Sequence, residues 1–182
     1  MKRLILCDMD GVLANNAHRE HLLPSKDDCN TTEKWDAFNN ACDQDEPIEQ
    51  GFHLLMEMSV FRFATSWALW SGRTETVQHK SAVWFDIHAE RLFKEHGYQW
   101  SFNQGRTCYF RPANDHRKAA DCKASLAQQA VLDAGLEVGD ELILIDDDLS
   151  VLEECRKFFP NAICIWIGNS HCSAKANGVT TK

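Results

Sequence analysis

No run of about 18 apolar residues occurs anywhere in the 182-residue sequence, so no segment reads as a transmembrane helix. The N-terminus, Met1-Lys2-Arg3, leads into an apolar run of only about four residues, shorter than a secretory core segment, and the expected location is the cytoplasm. Paired cysteines are missing too. The eight cysteines are scattered with no Cys-x-x-Cys spacing, which disfavours zinc and a disulfide framework and predicts buried free thiols in a reducing compartment. Positive charge is in deficit: the net charge is −8, which argues against electrostatic coating of nucleic acid but not against a local basic pocket. Internal repeats and flexible linkers are absent as well. Residues 1–168 therefore read as one domain, with 14–60 a segment of loop and helices that forms either a small cap or a packing layer, and 169–182 a polar, frayed tail.

What is present is an alternation of short apolar runs and helical patterns. Leu4 to Cys7, Ala64 to Trp70, Thr107 to Phe110, Leu142 to Ile145 and Ala162 to Ile167 read as strands. Between them, a helix capped by Thr31 or Thr32 carries a stripe of Trp35, Phe38 and Cys42, and Pro47 opens a second helix with Phe52, Leu55 and Met56 inward. A helix over 74–96 is predicted to bury Val77, Trp84 and Ile87. Helices over 118–134 and 149–158 follow, the first ended by Gly135 and the second capped by Asp148. Strands alternating with helices predict an α/β, Rossmann-like, doubly wound parallel sheet of about five strands.

Three of the strands end in reactive side chains: Asp8 and Asp10, with Gly11 for a sharp turn; Ser71, Gly72 and Arg73; and Asp146 and Asp147. Ligands of such sheets bind at the carboxyl ends of strands, and Lys123 reaches the same region from a helix. In this order the segments resemble the four motifs of the haloacid dehalogenase superfamily of phosphotransferases. The chemistry agrees with the resemblance. A phosphate dianion repels carboxylates, so a cation is needed, and Asp8, the main-chain carbonyl of Asp10, and Asp146 or Asp147 offer hard oxygens suited to Mg²⁺. Asp8 is the expected nucleophile, forming an aspartyl-phosphate, and Asp10 the general acid and then base. Ser71, the Gly72 amide and Lys123 would hold the phosphate oxygens, while Lys123 also offsets the crowded carboxylates.

Within the superfamily the chain is most similar to the phosphatase domains of the bacteriophage polynucleotide kinase-phosphatase type. The resemblance rests on Asp8-Met9-Asp10-Gly11 with Arg19, on Trp35 and Phe38 ahead of Asp45-Glu46-Pro47, and on Trp70-Ser71-Gly72-Arg73. Arg111-Pro112, then Asp115-x-Arg117-Lys118 with Lys123, and finally Ile145-Asp146-Asp147 complete it. It implies Mg²⁺-dependent removal of 3′-phosphates, and of 2′,3′-cyclic phosphates, from nucleic acid ends, with Arg19 and Arg73 at essential positions. Ala119 and Ala120 depart from the family, which carries acidic residues there. No Gly-x-x-x-x-Gly-Lys-[Ser/Thr] loop is present, so no kinase activity is expected, and the chain would act alone or beside a separately encoded kinase or ligase.

Plainer readings stand beside these. Arg19 is either a phosphate contact or an ordinary loop arginine, and His18 and His21 are weak metal candidates. Arg111, Arg117 and Lys118 are either nucleotide-backbone contacts or a solvated face. Trp100, Phe102, Tyr109 and Phe110 fit core packing better than base stacking. The competing functions are hydrolysis of free mononucleotides or other small phosphoesters, and a silent nucleotide- or protein-binding module.

Overall fold

In the computed structural model, which describes residues 1–25, 31–60, 65–97 and 107–168, the first apolar run becomes β1 (Arg3–Cys7). The chain continues through β2 (Ala14–Asn15), α1 (Asp36–Asn40), β3 (Glu46–Pro47), α2 (Glu49–Val60), β4 (Thr65–Thr74) and α3 (Gln78–Glu95). It closes with β5 (Thr107–Arg111), α4 (Ala119–Ala134), β6 (Glu141–Asp146), α5 (Leu149–Phe158) and β7 (Ile163–Trp166). The five long strands form one parallel sheet in the order β5-β4-β1-β6-β7, winding outward on both sides of β1. This is the α/β doubly wound sheet that the sequence predicts.

The central strand reads as a continuous apolar run because both its faces are covered. Ile5 and Cys7 face one core with Phe52, Leu55, Phe85 and Leu92 of α2 and α3. Leu4 and Leu6 face the other, with Ala124, Ala127 and Ala130 of α4 and Val151, Leu152 and Cys155 of α5. Small alanines let α4 lie close to the sheet. Gly135 takes the left-handed conformation at φ 57° to end α4, and Asp148 caps α5 by accepting from the Ser150 amide at 2.8 Å. Among the described residues no helix is long and apolar enough to cross a membrane.

The structure corrects four details. The helix expected from Thr31 to Cys42 is broken into a 3₁₀ turn (Thr32–Trp35), the short α1 and a second 3₁₀ turn (Cys42–Gln44), and Thr31 makes no side-chain cap. Pro47 does not open α2; it pairs with Ala14 in a two-stranded antiparallel ribbon, β2 with β3. That ribbon ties residues 14–47 down beside the end of β1, while α2 itself is a packing layer against the sheet. Ile87 is 59% exposed rather than buried, because the buried face of α3 is centred on Ser81, Phe85, Ala89 and Leu92 with Trp84 at its edge, and Ile87 lies on the far side of the helix. Ser71, Gly72 and Arg73 do not follow β4 but lie inside it, at an irregularity between Ser71 and Thr74 in the pairing with β5.

Six described cysteines are free, with Cys7, Cys42, Cys122 and Cys155 buried. Cys29, Trp100, Phe102, Cys172 and the tail from 169 lie outside the described residues. Tyr109 and Phe110 are buried in the two cores, as core packing requires.

Candidate active site

β1 and β6 run side by side, so their final carboxylates meet. The Asp8 amide still donates to the Ile145 carbonyl at 2.9 Å, and the chain then turns as the Leu13 and Ala14 amides donate to the Met9 carbonyl at 2.9 and 2.7 Å. Gly11 sits in this turn at φ 79°, where a Cβ would lie 2.0 Å from Asp147 Oδ2. Glycine is required on both counts: it supplies the backbone conformation and leaves room for a carboxylate.

Oxygens of Asp8, Asp146 and Asp147 all lie within 4.8 Å of one another. Lys123, buried in the first turns of α4, donates to Asp146 Oδ2 at 2.5 Å. Its Nζ also lies 2.9 Å from Asp8 Oδ1. The ammonium also rests 4.4 Å from the centroid of the Trp70 ring. Burial, followed by repulsion from Asp146, pushes Asp147 up to about 7. Burial raises Asp8 and Asp146 as well, against the pull of Lys123. Three carboxylates facing one ammonium form a site short of positive charge. The donor set, three carboxylates with oxygens within 4.8 Å of one another, fits a hard, oxygen-seeking cation such as Mg²⁺.

Asp10 lives in a different environment two residues away. Its Oδ1 accepts from Arg19 Nη2 at 2.5 Å and Arg73 Nη2 at 2.8 Å, and its Oδ2 accepts from Arg73 Nε at 2.9 Å. Asn16 adds a weaker bond at 3.3 Å. Burial works against ionisation here, but Arg73 and then Arg19 overcome it and hold the carboxyl at about 2. Asp8 and Asp10 are thus separated electrostatically, one crowded by carboxylates and the other clamped by guanidinium groups.

Asp45 holds the clamp together. Its side chain is fully buried; Oδ1 accepts from Arg19 Nε at 2.7 Å, and Oδ2 accepts from Arg19 Nη2 at 2.8 Å and Arg73 Nη2 at 2.6 Å. His18 Nε2 lies 2.9 Å from the same Oδ1, and the Trp84 indole donates to the Asp45 carbonyl at 2.8 Å. In the sequence Asp45 is legible only as part of a turn. Its place in the Asp45-Glu46-Pro47 segment gives no hint that two distant arginines converge on it.

The structure places the remaining expected residues in three settings. Arg19 is fully buried: its other contact is the Phe38 carbonyl at 3.0 Å, and its guanidinium packs 4.0 Å from the Phe38 ring centroid. Its remaining donors are directed at Asp10 and Asp45. Arg73 is spent in the same way, with Ser81 Oγ as a further acceptor at 3.1 Å. Ser71 is buried and its Oγ accepts from the Arg73 amide at 3.2 Å, so it shapes the strand irregularity, while Gly72 has open space where a Cβ would be. Arg117 and Lys118 lie outside at the start of α4, both exposed; Asp115 grips the Arg117 guanidinium, which also donates to Ser125 Oγ at 2.8 Å. Arg111, the third member of that basic patch, braces this turn by donating to the carbonyls of Gly72, Asp115 and Arg117. His18 serves Asp45, and His21 is exposed.

A cavity of about 460 Å³ is lined by Asp10 and Arg73 of the clamp, by Trp35 and Phe38, and by Arg111 and Lys118. The fold and site together define a parallel α/β chain with an acidic, cation-suited cluster and an arginine-clamped carboxylate at the ends of adjacent strands. No protein-family model matches the chain, and no curated protein matches it. Among solved structures, the chain is similar to one from a structure of a Pnkp1/Rnl/Hen1 complex, at 18% identity and TM-score 0.53, over 92% of this chain and 46% of that one. A second, from a structure of the Pnkp1/Rnl/Hen1 RNA repair complex, aligns at 17% identity and TM-score 0.51 over 92% and 42%. A predicted HAD-like family hydrolase from Porphyromonas gingivalis aligns end to end at 13% identity and TM-score 0.41. The first two likenesses establish a shared fold, and this chain spans less than half of the length of each.

Proposed function

We propose that the protein is a Mg²⁺-dependent phosphomonoesterase that works through an aspartyl-phosphate on Asp8 and removes 3′-phosphates from nucleic acid ends. The observation that carries the reading is the contrast between the two aspartates: one faces a cation-deficient cluster, the other an arginine clamp. Asp8, Asp146 and Asp147, with the Asp10 carbonyl, would hold Mg²⁺, which when bound neutralises the phosphate and the cluster.

In the first half-reaction an Asp8 oxygen forms a bond to phosphorus, the bond from phosphorus to the ester oxygen breaks, and a proton on Asp10 passes to the departing alkoxide. Asp10 at about 2 is a base in the free site. To act as the acid of this step Asp10 must carry a proton, whereas the carboxylate that the clamp favours is the form needed in the second half-reaction. In the second half, Asp10 takes a proton from water as the water oxygen bonds to phosphorus and Asp8 is released. Lys123 holds the phosphate oxygens alongside Ser71 and the Gly72 amide. Arg19 and Arg73, with Asp45, keep Asp10 in line. Arg117 and Lys118 meet the nucleic acid backbone. The appearance of this fold in chains of an RNA repair complex supports an end-processing role beside a separately supplied kinase or ligase.

Phosphate release with Mg²⁺ tests this on an oligonucleotide with a 3′-phosphate, the same oligonucleotide with a 5′-phosphate, and a 3′-mononucleotide. The 3′-phosphorylated oligonucleotide should turn over fastest, with release abolished by chelation and by Asp8→Asn. Faster turnover of the mononucleotide would move the protein to nucleotide metabolism, and no release from any of them would refute the phosphatase reading.

A further inference from the structure

The proposed chemistry fixes where the rest of the substrate must lie. The leaving oxygen has to face Asp10, and Asp10 forms part of the lining of the 460 Å³ cavity, so whatever the phosphate is esterified to occupies that cavity. The space suits a single nucleoside. One of its walls is Trp35, at the end of a 3₁₀ turn. The sequence pattern assigns Trp35 to a core stripe, but in the structure it is only half-buried, while its stripe partners Phe38 and Cys42 are buried. Phe38 supports it edge-on, with ring centroids 6.1 Å apart at 83°, and is itself packed under Arg19. The indole is therefore tied through two packed groups to the clamp around Asp10.

The lining also includes Arg117, which Asp115 holds, and the exposed Lys118. A shallower depression of about 600 Å³ continues from the cavity over Asp115, His116 and Arg117 toward Pro112 and Asn114. An aromatic wall, a lysine and an arginine in the lining, and an adjoining depression match a base, its 5′-side phosphate and the next nucleotide of a strand.

We infer that Trp35 is the stacking platform for the terminal base of a 3′-phosphorylated strand, and that it makes the enzyme prefer a strand end carrying a base over one without. This rests on the proposed phosphatase reading and adds a specificity residue to it. A π-face stacks on any base, so the platform gives preference for a nucleotide end without sequence selectivity.

The test compares kcat/KM for two oligonucleotides with a 3′-phosphate, identical except that the terminal nucleotide of one lacks its base. The wild-type chain should prefer the complete end by roughly tenfold or more, the size expected of one base–aromatic stack. In Trp35→Ala that ratio should fall toward one, mainly through KM, and in Trp35→Phe most of it should return. Because the baseless end reports every general loss of fold or chemistry, only the ratio reads stacking. A ratio unchanged in Trp35→Ala overturns the inference and leaves the phosphatase reading standing. Binding of both oligonucleotides to the Asp8→Asn chain, measured by fluorescence anisotropy with and without Trp35→Ala, separates the claims further. A base preference in binding that depends on Trp35, with no phosphate released by the wild-type chain, supports the inference and refutes the phosphatase. The absence of any base preference in binding refutes the inference.

Discussion

At the scale of single residues, Asp45 shows how a buried charge organises a site it does not enter. Two arginines placed far apart in sequence share its oxygens and pass their remaining donors to Asp10. Removing one partner of such a network leaves uncompensated charge in the interior, at a cost of roughly 3–5 kcal/mol. Asp45→Asn should therefore lower stability by about 3 kcal/mol in chemical denaturation. It should also cut phosphatase activity by roughly a hundredfold or more, because the arginines that align Asp10 lose their anchor. Wild-type activity in a stable Asp45→Asn chain would contradict this. Asp10 itself sets an acid limit. Its carboxyl drops from an ordinary 3.8 to about 2 on folding, so its contribution to stability is present above about pH 4 and is lost as pH falls toward 2. Denaturation of the wild-type chain and of Asp10→Asn should show a stability difference that shrinks by about 2 kcal/mol over that interval. A difference that stays constant with pH would show that the clamp does not depress Asp10.

At the scale of elements, what positions the chemistry is the junction of β1 with the turn that follows. A strand that ends in the core projects its next side chains at the sheet edge, and Gly11 reverses the chain close enough for Asp147 to pack against it. Gly11→Ala meets both backbone strain and a Cβ placed on a carboxylate, so it should cost about 1–3 kcal/mol and also abolish the rise in melting temperature that Mg²⁺ brings. Gly139→Ala is the control: it too has positive φ, at 97°, but nothing lies within 4 Å of its added Cβ. It should cost about 1 kcal/mol and keep the Mg²⁺ response. Equal Mg²⁺ responses in the two variants would separate the Gly11 turn from the metal site. The same scale explains where pattern reading ends. β1, β6 and α5 were legible because apolar runs stop at acids or caps. Ser71-Gly72-Arg73 read as following the strand because serine and glycine disfavour strands, yet pairing with β5 carries β4 through them. The broken helix at 32–44 was hidden because Trp35, Phe38 and Cys42 keep an apolar spacing that 3₁₀ and α turns both satisfy.

For the molecule as a whole, the doubly wound topology gathers residues from four distant segments at one sheet edge. The motif order therefore pointed to Asp8, Asp10, Lys123, Asp146 and Asp147, while Asp45 stayed hidden. Strand ends converge by topology, which a sequence pattern reveals. A bridging aspartate converges by tertiary contact alone, which it does not. The central claim is that Asp8 becomes phosphorylated, and the most direct measurement is acid-quenched transfer of radiolabel from a 3′-[³²P]phosphorylated oligonucleotide to the protein in the presence of Mg²⁺. The account predicts a transient, hydroxylamine-sensitive label on the peptide containing Asp8, absent from Asp8→Asn. Labelled phosphate released with no protein-bound intermediate, together with turnover by Asp8→Asn, would contradict it.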